Sequence, residues 1–202
     1  MKKKINIGID FDNTIICYDR VFNIVANEEK LIPEELSFGK SYVRNYLRKM
    51  DKEEEWTKLQ GYVYGTRLFD AYPFEGVKEF FSYCEEAKIE HCIVSHKTLH
   101  PYRGYPYDLH KSAYKWLKLE SFNCDVFFEL TKEEKINRIL EQRCTHFIDD
   151  LPEFLTLPGF PDNIVKILFD PLKQYSIDKI DASLKVARSW KEILTLLKKD
   201  IL

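Results

Sequence analysis

The chain of 202 residues is short of the features that mark several protein classes. With only 7 Gly and 8 Pro, it is neither collagen-like nor a Pro/Gly-rich disordered segment. No stretch approaches the ~18 consecutive apolar residues of a membrane span. The five cysteines, Cys17, Cys84, Cys92, Cys124 and Cys144, are odd in number and form no C-x-x-C pair. That argues against a disulfide framework or a zinc site. Cys84 and Cys92 fall in apolar-patterned segments, where a free thiol serves as a small buried hydrophobe. An excess of one charge is missing too. Lys+Arg 31 against Asp+Glu 33 leaves a net charge of −2, which calls for no nucleic-acid polymer and no acidic membrane surface. The start, MKKKINIGIDFDNT, has a basic opening, but Asn6, Asp10 and Asp12 interrupt its apolar run. It offers no h-region of a signal peptide, and a cytoplasmic location is the expectation.

What is present is a globular composition, 45% hydrophobic and 32% charged. A chain of this length buries roughly 70% or more of its surface on folding, enough for a full core. The length suits one domain, or one domain with a small insertion. Ile5, Ile7 and Ile9 alternate and run into Asp10, which reads as a short strand ending in acid. Further strands are expected at 89–95 (IEHCIVS), 125–129 (DVFFE), 145–150 (THFIDD) and 163–171 (NIVKILFDP). Helical stripes lie between them: Val77 to Ala87, Leu109 to Leu117, Ile136 to Leu140, and a long terminal stripe from Val186 to Leu197. Thr131 followed by Glu134 is a capping-box signature that starts the third. Alternating strands and helices predict an α/β fold, a three-layer Rossmann-like parallel sheet. Ligands of such sheets bind outside the carboxyl ends of the strands.

Residues 16–75 break the alternation. Helical segments around 21–31, 40–49 and 51–60 precede an aromatic loop, GYVYGTRLFDAYPFEG. This is far beyond the ~2–6 residues of an ordinary βα connection. The expected organisation is therefore a core of 1–15 and 76–202 with a small helical cap, 16–75, inserted after the first strand.

Asp10-Phe11-Asp12-Asn13-Thr14 is the strongest chemical signal. Residues i and i+2 at a strand end project to one side, so Asp10 and Asp12 face one crevice while Phe11 turns to packing. Two neighbouring carboxylates repel unless a cation lies between them or one keeps its proton. The pair suits a hard, oxygen-loving ion such as Mg²⁺, or acid/base work. Alone, D-x-D is an ordinary solvated turn. Here Ser95 follows an apolar strand, Asp149-Asp150 ends another, and Lys135 sits near the start of a capped helix.

Taken in order, GIDFDNT, IVSHK, the lysine of TKEEKINRI and HFIDD resemble the four motifs of the haloacid dehalogenase-like (HAD) superfamily. The resemblance spans essentially the whole chain. The insertion after the first motif is similar to a C1-type cap. Asn13 stands where many members carry Gly. The resemblance implies a phosphatase in which Asp10 is the nucleophile, forming an aspartyl-phosphate, and Asp12 the general acid and base. It implies Mg²⁺ held by Asp10, the backbone carbonyl of Asp12 and Asp150, with Asp149 beside it. Ser95 and Lys135 would hold phosphate oxygens, with His96, Asn13 and Thr14 as further phosphate-binding candidates. Lys132 is the rival of Lys135. Dehalogenases of this fold lack the second aspartate, so Asp12 points to phosphate chemistry.

The implied substrate is a small phosphorylated metabolite. A phosphotransferase or mutase, or a non-catalytic phosphate-binding protein, would share the motifs. Arg103, in the turn-rich loop His100–Tyr107, either reads an anionic substrate or belongs to a structural loop. Tyr42, Tyr46, Trp56, Tyr62, Tyr64, Arg67 and Tyr72 either line a specificity pocket or build the core of the cap. KEEEWTK, 52–58, reads as a solvated helix face. His91, His110 and His146 have no metal-ligand spacing and read as structural.

Overall fold

The structure, a computed structural model, describes residues 4–201. The first elements are β1 (Asn6–Ile9), β2 (Ile16–Cys17), α1 (Asp19–Glu28), α2 (Lys40–Lys49), α3 (Glu53–Tyr64) and β3 (Tyr72–Pro73). They are followed by α4 (Val77–Glu86), β4 (Glu90–His96), α5 (Leu109–Leu119), β5 (Asp125–Glu129), α6 (Lys132–Glu141) and β6 (His146–Asp149). The chain ends with α7 (Pro152–Leu155), β7 (Val165–Phe169), β8 (Leu184–Ala187) and α8 (Trp190–Ile201). It divides into two compact units: residues 1–15, 73–96 and 124–202, and residues 16–72 and 97–123. The second unit thus extends beyond the expected insertion of 16–75. The region around α5 joins it because Trp116 Nε1 donates to the Ala71 carbonyl at 3.1 Å and Tyr107 packs on Gly65.

The first unit carries a six-stranded sheet in the order β5-β4-β1-β6-β7-β8, every neighbouring pair parallel. This is the α/β Rossmann-like layout that the strand–helix alternation predicts. Side chains alternate between faces. Cys92, Val94, Phe147 and Leu168 join Ile136 and Ile139 of α6 and Phe154 and Leu155 of α7 in one buried cluster. On the other face Trp190 of α8 lies 4.9 Å from Phe80 of α4 and 5.6 Å from Phe169, centroid to centroid. The indole also donates to the Thr14 carbonyl at 3.2 Å, tying the segment after β1 to the terminal helix.

One expectation needs correction. Val186 and Ala187 belong to strand β8, and the terminal helix starts at Trp190. The ladder with β7 pairs Leu168 with Val186 and Phe169 with Ala187, and this pairing outweighs the helical spacing of those two residues. The turn between strand and helix is capped by Arg188 N, which donates to Glu192 Oε2 at 2.7 Å, and Glu192 N, which donates to Ser189 Oγ at 3.2 Å.

In the second unit, Phe22 of α1 lies 5.1 Å from Trp56 of α3 and 5.7 Å from Tyr64, and Tyr18 lies 4.9 Å from Tyr64. Trp56 is buried and is a core residue; Tyr42 and Tyr72 are exposed. KEEEWTK is therefore only partly a solvated face. Arg67 pairs with Glu28 and Asp70. Among the described residues no helix is long and apolar enough to cross a membrane.

Candidate active site

Three adjacent strands deliver the chemistry. β1 lies between β4 and β6, so the residues just beyond it meet the ends of both neighbours. Asp10 follows β1 and its backbone N–H donates to the Ile148 carbonyl at 2.9 Å, prolonging the ladder by one residue. Ser95 lies on β4; Asp149 closes β6 and Asp150 follows it. Ser95 Oγ donates to Asp10 Oδ1 at 2.8 Å.

Lys135 reaches the same point from α6. Thr131 Oγ1 accepts from Glu134 N at 3.1 Å, and Glu134 Oε2 accepts from Thr131 N at 3.0 Å, so the helix start is held on both sides. One turn in, Lys135 Nζ donates to Asp10 Oδ1 at 2.6 Å and to Asp149 Oδ2 at 2.7 Å. The ammonium also lies 4.2 Å from the ring centroid of Phe154. Lys132, the rival lysine, is half-buried at the first position of the helix and makes neither bond.

Burial defines the electrostatics. Asp10 is 5% exposed, Ser95 1%, Lys135 3% and Asp149 0%. The Asp10 carboxyl is pushed up to about 6, chiefly by desolvation, against the pull of Lys135 and with the charges of Asp149 and Asp12 adding to the rise. Desolvation lowers the Lys135 ammonium, but Asp10 and Asp149 outweigh it, so the net shift is upward and the lysine stays charged. Asp10, Asp149 and Asp150 each present a carboxylate oxygen, all within 4.8 Å of one another. Three hard oxygen donors against one ammonium leave a negative excess that suits a divalent cation such as Mg²⁺. Both oxygens of Asp149 are already engaged, Oδ1 by Leu151 N at 2.9 Å and Oδ2 by Lys135. Asp150 is the less buried of the two.

The remaining candidates fall around this centre. Phe11 is buried and stands edge-on to Phe128 at 5.7 Å, as the alternation requires. Asp12 is half-buried, and its carboxylate is outside the cluster of three. Asn13 adopts φ +58°, a left-handed conformation that Gly and Asn tolerate best. Thr14 is fully buried, and its hydroxyl has no hydrogen-bond partner among the described residues. His96 directs Nε2 to the Leu130 carbonyl at 3.0 Å, so its ring is engaged away from the carboxylates. Tyr175 packs against the core cluster of the sheet. Burial raises its phenol, with Glu153, Asp150, Asp170 and Asp149 adding to the effect. It arrives on the loop after β7, which has no pattern of its own. Asp170 also ends a strand but is structural: it pairs with Arg188 and accepts from Gln174 N at 2.8 Å and Tyr175 N at 3.2 Å.

No protein-family model matches the sequence, and no curated protein matches it. Solved structures do. A HAD-superfamily hydrolase from Ehrlichia chaffeensis is similar over 100% of both chains, with 13% identity and a TM-score of 0.58. YfnB from Bacillus subtilis, described as a HAD-hydrolase and bound to magnesium, is similar over 97% of this chain and 99% of its own, with 17% identity and a TM-score of 0.56. A haloacid dehalogenase-like hydrolase from Xanthomonas campestris matches over 100% and 97%, with 8% identity and a TM-score of 0.59. With TM-scores above 0.5 over essentially the full length, the likeness shows the fold: the chain has the fold of these haloacid dehalogenase-like hydrolases.

Proposed function

We propose that the protein is a Mg²⁺-dependent phosphatase that hydrolyses a small phosphorylated metabolite through an aspartyl-phosphate on Asp10. The observation that carries this reading is the buried carboxylate of Asp10, met by Ser95 at 2.8 Å and Lys135 at 2.6 Å, with oxygens of Asp149 and Asp150 nearby. Asp10, the Asp12 backbone carbonyl and Asp150 would hold Mg²⁺, which when bound neutralises charge on phosphoryl oxygens. Asp149 orients the group through Lys135 and Leu151 N.

The residues then divide the work. An Asp10 oxygen attacks phosphorus and the ester P–O bond breaks, while Asp12 gives its proton to the departing alcohol oxygen. Asp12, now ionised, takes a proton from the water that attacks the aspartyl-phosphate, and the bond between phosphorus and Asp10 breaks. Ser95 and Lys135, freed from Asp10 Oδ1 as it reacts, donate to the equatorial phosphoryl oxygens. Ser95 Oγ and Lys135 Nζ already converge on the reacting carboxylate, so little rearrangement is needed.

The covalent intermediate tests the reading directly. Acid quench during turnover of an aryl phosphate, followed by mass spectrometry, is expected to show a phosphoryl adduct on the peptide carrying Asp10, absent from Asp10→Asn. Turnover without an adduct in wild type and in a slowed Asp12→Ala variant would contradict it.

A further inference from the structure

The second unit holds a cavity of about 380 Å³ that the chemistry above does not use. Tyr62 of α3 and Tyr105 and Tyr107 of the loop after β4 line it, together with Leu59, Glu29, Glu55 and Lys58. The rings touch in series: Tyr62 lies 6.3 Å from Tyr107, and Tyr107 lies 4.8 Å from Tyr105. Glu29 and Glu55 form no ion pair among the described residues. Lys58 also lines the cavity and feels the charge of Glu55, but its ammonium lies 2.8 Å from Glu54, a residue that does not line it.

The cavity is also held in shape. A Cβ at Gly65 would lie 2.5 Å from Tyr107 Cγ, and one at Gly61 would lie 2.7 Å from Pro101 Cβ. The two glycines, one turn apart, let the loop of 100–107 seat against the end of α3. A preformed wall spares a ligand much of the ordering cost of binding.

Three electron-rich rings and two carboxylates, with apolar Leu59 in the same lining, complement a cation that carries its own apolar surface. We propose that this cavity binds a compact organic ammonium ion. Small hydrated metal ions gain little from tyrosine faces, and the two carboxylates against the one ammonium of Lys58 leave a net negative lining that disfavours anions. The same unit already places cations over aromatic rings: Arg67 lies 5.9 Å from the Tyr62 centroid and Lys40 lies 5.4 Å from that of Tyr18.

The test titrates choline, and separately its uncharged tert-butyl isostere, into the full-length protein at matched ionic strength, reading the ring signals of Tyr62, Tyr105 and Tyr107 by NMR. Saturable choline shifts with a Kd in the millimolar range or tighter are expected, with the isostere at least ~10-fold weaker. Glu55→Gln and Tyr105→Leu are each expected to weaken choline by about threefold. Tyr105 is 69% exposed, so its replacement leaves the fold intact, as thermal unfolding will verify. Equal affinity for the isostere, no saturable shift up to ~50 mM, or folded variants that bind as wild type would each overturn the proposal.

Discussion

Lys135 carries the buried electrostatics of the site. It is 3% exposed and bonds two carboxylates that are themselves almost inaccessible. Removing the ammonium leaves Asp10 and Asp149 facing each other in a low-dielectric pocket. Lys135→Ala is expected to cost about 3 kcal/mol in urea unfolding, the lower end for breaking a buried pair because Asp10 can take a proton instead. The raised pKa of Asp10 sets a second residue-scale expectation. A carboxyl whose folded value is about 6 against 3.8 binds more protons folded than unfolded between those limits. The metal-free protein therefore loses stability as pH rises from 3.8 to about 6. Mg²⁺ favours the ionised carboxylate, so calorimetric titration should find tighter binding at about pH 7.5 than at about pH 5, with proton release at the lower value. Affinity independent of pH would exclude Asp10 as a ligand.

Elements set these residues in place, and two of them are open to direct challenge. Thr131 and Glu134 close the capping box that starts α6 one turn before Lys135. Thr131→Ala is expected to cost about 1 kcal/mol and to lower activity with it, since Lys135 hangs from that turn. Gly8, in the centre of β1, permits close packing: a Cβ there would lie 2.5 Å from Phe147 Cδ2 and 2.9 Å from Cys144 Sγ. Gly8→Ala is expected to cost about 1–3 kcal/mol in chemical denaturation. These elements were unequally legible in the sequence. The isoleucine alternation into Asp10, the strands ending at Ser95 and Asp149, and the Thr131 cap all have local signatures. The strand Leu184–Ala187 does not, because Val186 and Ala187 also fit the helical stripe of Trp190, Ile193 and Leu197. Ser189 and Glu192 form the cap that separates the two. The convergence of Ser95 and Lys135 on Asp10 is a tertiary fact. Their separations of 85 and 125 residues are bridged by the pairing of β4 with β1 and by the packing of α6 on the sheet, which no local signature records.

At the scale of the whole molecule, the near-neutral charge of −2 conceals a concentrated site: Asp10, Asp149 and Asp150 share one small volume with a single lysine. An ion that binds only the folded chain stabilises it by mass action, about 2.7 kcal/mol at 100 times its Kd. Mg²⁺ is accordingly expected to raise the melting temperature of wild type at neutral pH and to do so far less for Asp150→Asn. The second unit draws its stability from its own aromatic core around Phe22, Trp56 and Tyr64. Asp10 is the proposed nucleophile of a metal-assisted phosphatase. Steady-state phosphate release from an aryl phosphate, with and without Mg²⁺, tests it most directly. Release by wild type is expected to require Mg²⁺ and to fall by about a thousandfold or more in folded Asp10→Asn; equal rates for the two proteins would rule Asp10 out as the nucleophile.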